Sequence, residues 1–122
     1  MAKISDFSKQ HIWECYNVIF DYLKNFEPVD EDEEDSEFMF MMDEIEKRSV
    51  CIPEDIYNKI DEFVTDNIIP LSSGEAFDDM QDAIDEGSDD QGIMAKYMWA
   101  IMQRQNALRE FAKKELYPLL IS

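Results

Sequence analysis

Residues 53–70 read PEDIYNKIDEFVTDNIIP, and this stretch decides the fold class. Ile56, Ile60, Phe63, Val64 and Ile68 recur every three or four positions, the period of one face of an α-helix, with acids and polar residues between them. Pro53 suits a first helical position, where its missing N–H has no intrahelical partner, and Pro70 closes the run.

The same period extends in both directions. Upstream, a helix is expected from near Ser5 to about Phe26, with Phe7, His11, Cys15, Val18 and Tyr22 in one stripe that Ile12, Ile19 and Leu23 widen. Pro28 stops it. A second helix follows Ser36 and puts Phe38, Met41, Met42, Ile45 and Ser49 on one side, with Lys47 and Arg48 at the end where cations suit the helix dipole. Downstream, a fourth helix starts behind Ser72 or Ser73, presents Phe77, Met80 and Ile84, and ends at Gly87. The last and longest is expected from about Gln91 to Leu116, with Met94, Met98, Ile101, Gln105, Leu108 and Ala112 in line. Pro118 should then release a short apolar tail, Leu119 to Ile121. No stretch reads as a strand. The expectation is one all-α domain over residues 1–122, a bundle of about five helices with a long C-terminal helix.

Composition narrows the function classes. Against 11 basic residues stand 29 acids, a formal net charge of -18, yet 45% of the chain is hydrophobic and 12% aromatic, which favours a packed core over disorder. Such a charge repels nucleic acids and anionic membranes, so neither direct nucleic-acid binding nor membrane binding is expected. The opening residues lack the basic-then-apolar pattern of a secretory signal, and no apolar run approaches a membrane span. A cytoplasmic protein with Cys15 and Cys51 as free thiols is the expectation.

The acids are not evenly spread. Residues 30–50 hold ten acids and two bases, residues 71–90 eight acids and no base, and residues 91–122 two acids and five bases. In the fourth helix, Glu75, Asp78, Asp82, Asp85 and Asp89 are spaced alternately by three and four residues, so their carboxylates form one longitudinal stripe that Asp79, Glu86 and Asp90 broaden. Like charges at this spacing disfavour a helix by a few tenths of a kcal/mol per pair, roughly, so the stripe is a cost that binding would explain. Asp32, Glu33, Glu34 and Asp35, from the run that precedes the second helix, form a second candidate contact.

Other chemistries fail on residue types. A calcium loop started at Asp30 has Asp35 where glycine is needed and Met41 where the closing glutamate belongs. One started at Asp82 has Ile84 and Ile93 at ligand positions. A single histidine excludes a Glu-x-x-His di-iron bundle. His11 and Cys15 lie one turn apart, but no zinc-type cysteine pair accompanies them and no glycine-rich turn offers an oxyanion hole. No cofactor or metal is expected, and the methionines, at helical spacing, read as core. Trp13 and Trp99 read equally as core or as interface anchors.

These observations point to binding rather than catalysis, with a basic protein as partner, either a nuclease toxin or a DNA-binding enzyme. The physics is that of an inhibitor whose acidic surface covers a positive substrate cleft, as an immunity protein against a nuclease-type toxin does. A phage-type DNA mimic that blocks restriction enzymes and a non-inhibitory helical adaptor are the alternatives.

Overall fold

The computed structural model describes residues 4–27, 34–72, 78, 82 and 90–122, with the backbone alone for 90–97. Helix α1 spans Asp6–Lys24, α2 Ser36–Arg48 and α3 Glu54–Asn67. A one-turn helix α4, Ile69–Ser72, follows α3, and the long α5 runs Asp90–Phe111. A π-helical turn, Ala112–Leu116, then leads into the short α6, Tyr117–Leu120. There is no strand among the described residues. The protein is an all-α bundle with a long C-terminal helix.

Local chemistry sets the helix starts. The Ser5 hydroxyl accepts from the Ser8 N–H at 3.1 Å and caps α1. Asp35 caps α2, its Oδ1 accepting from the Phe38 N–H at 3.0 Å, while its Oδ2 accepts from the Tyr22 hydroxyl at 2.7 Å. One carboxylate thus satisfies a helix terminus and ties α2 to α1. Pro53 sits at the cap position of α3, one residue earlier than expected. Pro70 lies inside α4, because α3 has already closed at Ile68 and a fresh turn begins behind it.

The core is where the helical stripes meet. Ile12, Cys15, Ile19, Tyr22 and Leu23 of α1 pack with Met41 and Ile45 of α2, with the whole predicted face of α3, and with Leu108 and Leu116 near the C-terminus. Each such side chain, fully withdrawn from water, contributes about 1.5–3 kcal/mol of transfer free energy. Phe63 stacks on Phe111, ring centroids 4.9 Å apart, fixing α3 against α5.

Several expectations are corrected. Phe7 is not core: it is exposed and meets only the edge of the His11 ring. Of the methionines, Met41 is buried and Met42 half-buried, but Met39, Met98 and Met102 are exposed. Met98 lies on the predicted stripe of the long helix, and further along that stripe Ile101 is half-buried against the core and Leu108 fully buried. Pro118 does not release the chain. The π turn widens the helix so that the Tyr117 N–H donates to the Ala112 carbonyl, and helical structure continues through the proline to Leu120. A wider turn relieves the clash between a proline ring and the carbonyl four residues back. The predicted fourth helix, with Phe77, Met80, Ile84 and Gly87, lies outside the described residues except at positions 78 and 82, both helical.

No helix among the described residues is long and apolar enough to cross a membrane. Both cysteines are free. Cys15 is fully buried, and burial pushes its thiol up to about 11, which makes it an unreactive core residue. His11 is half-buried, its Nδ1 3.1 Å from Glu14 Oε2.

Candidate partner-binding surface

The candidate residues divide by what the fold does with them. Asp78 and Asp82 are one turn apart and helical, Asp82 exposed and Asp78 half-buried. Glu34 is exposed at the entrance to α2. Asp35, half-buried beside it, gives both oxygens to the fold as cap and tyrosine acceptor, so its position is explained without a partner. Glu75, Asp79, Asp85, Glu86, Asp89, Asp32 and Glu33 lie outside the described residues.

Whether acids are neutralised from within can be read from the ion pairs. Among the described residues, the carboxylates in ion pairs are those of Glu14, Glu44 and Glu115. Arg48 carries the most connected arrangement. Its Nε donates to Glu14 Oε2 at 2.8 Å, and its Nη1 to Glu44 Oε2 and to the Glu44 carbonyl, each at 2.8 Å. These bonds clamp α1 to the end of α2. Hydrogen bonds from Arg48 hold both carboxyls below the usual carboxylate range, and the same bonds raise the guanidinium further. Lys47 adds a 3.3 Å contact to Glu44, and Lys59 reaches Glu115 at 3.0 Å, joining α3 to the π turn.

The remaining acids on α2 and α3 have no such partner. Glu37, Asp43, Glu46, Glu54, Asp55, Asp61, Glu62 and Asp66 are all exposed and form none of these ion pairs. Nor, among the described side chains, do Arg104, Arg109, Lys113 and Lys114 take part in any of these ion pairs. No three metal-ligating side chains converge among the described residues.

Aromatic and apolar side chains are exposed as well, a feature that reading the main stripe of α1 missed. Trp13, Tyr16 and Phe20 form a second row along α1, with Trp13 stacked on Tyr16 at 5.0 Å and Tyr16 on Phe20 at 6.1 Å. Their spacing of three and four residues is in the sequence, but it is legible only once the first stripe is assigned to the core. Trp13 and Tyr16 line a cleft of about 220 Å³ against Arg109, Lys113, Leu116 and Tyr117. On the opposite side of α1, a hollow of about 400 Å³ opens between α1 and α2, lined by Val18, Asp21, Glu37, Phe40 and Met41 among others. On α5, Met98, Trp99 and Met102 form an exposed apolar group. Both tryptophans are therefore surface residues.

Searches of protein-family models, curated proteins and solved structures returned no match to this chain. The functional reading rests on the surface just described.

Proposed function

We propose that this chain is an acidic inhibitor that binds and neutralises a basic, nucleic-acid-handling protein, in the manner of an immunity protein against a nuclease-type toxin. The observation that carries the reading is the set of exposed acids on α2 and α3 that join no ion pair among the described residues, while Arg104, Arg109, Lys113 and Lys114 join none either. A surface of one sign raises the encounter rate with an oppositely charged protein and repels the nucleic acid that protein would otherwise hold. Asp78 and Asp82 on the acidic stripe, with Glu34 at the entrance to α2, are the described members of the proposed contact. The chain acts by occupancy and not by catalysis, and it needs no cofactor.

Affinity capture on the tagged chain from its source cell, followed by a nuclease assay on the basic protein recovered, tests the reading. The chain should abolish that activity at one equivalent. The Asp78→Asn, Asp82→Asn, Asp85→Asn triple variant should fold normally and associate about tenfold more slowly, with the difference vanishing in high salt. Unchanged association kinetics would remove the stripe from the mechanism. The exposed Met39, Met98, Trp99 and Met102 favour a second reading, a helical adaptor that recognises its partner through apolar side chains. Binding that persists in 0.5 M salt supports the adaptor.

A further inference from the structure

Resting on that reading, we infer that Phe40, bordered by two acidic hollows, is the anchor point for an arginine side chain of the basic partner. Phe40 is 64% exposed on α2, an unusual place for a phenylalanine that packing does not require. The hollow on its α1 side, of about 400 Å³, takes its apolar lining from Val18, Phe40 and Met41 and carries the carboxylates of Asp21 and Glu37. A second hollow of about 400 Å³ also borders Phe40, lined by Asp43, Glu44, Glu46 and Lys47.

The carboxylates in the two hollows are differently committed. Glu44 is taken by Arg48 and Lys47. Asp21, Glu37, Asp43 and Glu46 are exposed and in no ion pair among the described residues, and Lys24, one turn beyond Asp21, pairs with neither Asp21 nor Glu37. An exposed aromatic ring bordered by carboxylates that join no ion pair among the described residues matches one side-chain chemistry closely. A guanidinium stacks flat on a ring while its edge N–H groups donate to carboxylates, whereas an ammonium satisfies the charge but not the plane. The aliphatic stem of arginine would lie along Val18, which is half-buried in the same hollow. The charge complementarity is that of the proposed partner, and the site would supply the specificity that diffuse acidity lacks, since interface energy concentrates on a few anchored aromatic and arginine contacts.

The test is a chemical-shift titration of the isotope-labelled full chain with the peptide acetyl-Gly-Arg-Arg-Gly-amide, against its lysine counterpart at equal ionic strength. Backbone shifts should concentrate in residues 18–25 and 36–47, with the arginine peptide bound about three- to fivefold more tightly, the size expected of an exposed cation–ring contact. Phe40→Leu, which keeps an apolar side chain but removes the ring, should erase that preference and leave the spectrum otherwise native. Asp21→Asn with Glu37→Gln should weaken both peptides. Equal binding of the two peptides, shifts centred on the α3 acids instead, or a preference that survives Phe40→Leu would each overturn the assignment. The outcome is separable from the inhibitor reading: a captured partner that depends on the acidic stripe but is indifferent to Phe40→Leu sinks this inference alone.

Discussion

The two sides of α1 are chemically opposite. Toward α2, Arg48 is held by Glu14 and Glu44 and Lys47 by Glu44, while Asp21, Glu37, Asp43 and Glu46 join no ion pair among the described residues. Toward the C-terminal stretch, Arg109 and Lys113 border the Trp13–Tyr16 cleft and join no ion pair among the described residues. Among the described residues, unpaired charge is thus sorted by side of α1 rather than spread evenly. A uniform charge keeps copies apart and steers weakly in orientation, whereas an asymmetric one aligns an approaching cation before contact. The difference teaches that the sign of a chain's charge selects the class of partner, and that the location of the few unpaired bases selects the face presented.

Three measurements break or sharpen this contrast, beginning with the one expected to move most. Both sides hang on α1, so emptying its core should abolish the contrast altogether. Ile19 is 1% exposed, and Ile19→Ala should lower unfolding stability by about 2–5 kcal/mol, read by urea denaturation. A loss below 1 kcal/mol would mean that α1 is not the shared support.

The α2 side should then respond to acid in a defined sense. Glu14 and Glu44 have folded-state affinities for protons below their ordinary ones because of Arg48. Their contribution is therefore complete above the unfolded carboxylate range, about pH 4.3, and is lost as pH falls through the lower folded values. Arg48→Met should depress the melting temperature by several degrees at pH 7, and the gap from the native chain should narrow steadily below about pH 4. A gap that is constant with pH would assign Arg48 a packing role only.

The smallest effect tests the C-terminal side. With Trp99→Phe as background, fluorescence reports Trp13 alone. Iodide, drawn by Arg109 and Lys113, should quench it about twofold more efficiently than in the Arg109→Glu, Lys113→Glu variant, and caesium should show the reverse order. Identical quenching in both would show that those bases do not set the potential at the cleft.

How far the sequence could be read depended on the range of the interaction involved. The face of α3 was legible in full, and each of Ile56, Ile60, Phe63, Val64 and Ile68 is buried, because a strict period with polar residues between leaves one way to turn the helix. Ser5 as a cap was legible for the same reason, since its bond reaches three residues. α1 was harder. It is apolar over two arcs, and no local rule says which arc meets the core, so Phe7 was assigned inward and Trp13, Tyr16 and Phe20 were not grouped. Asp35 was counted with the outward acidic run because its tie to Tyr22 crosses from one helix to another.

By itself, then, the sequence determined the helical class, the main buried stripes and the sign of the surface. Those follow from side-chain period and ionisation, which each segment carries locally. It took the packed fold to decide that Arg48 reaches Glu14, 34 positions away, that Lys59 reaches Glu115, and that a π turn carries the last helix past Pro118. The same packing decided that Phe40 stands exposed beside two acidic hollows. Such features depend on which helices come to lie side by side, and that arrangement is set by the packing of the whole core rather than by any one segment.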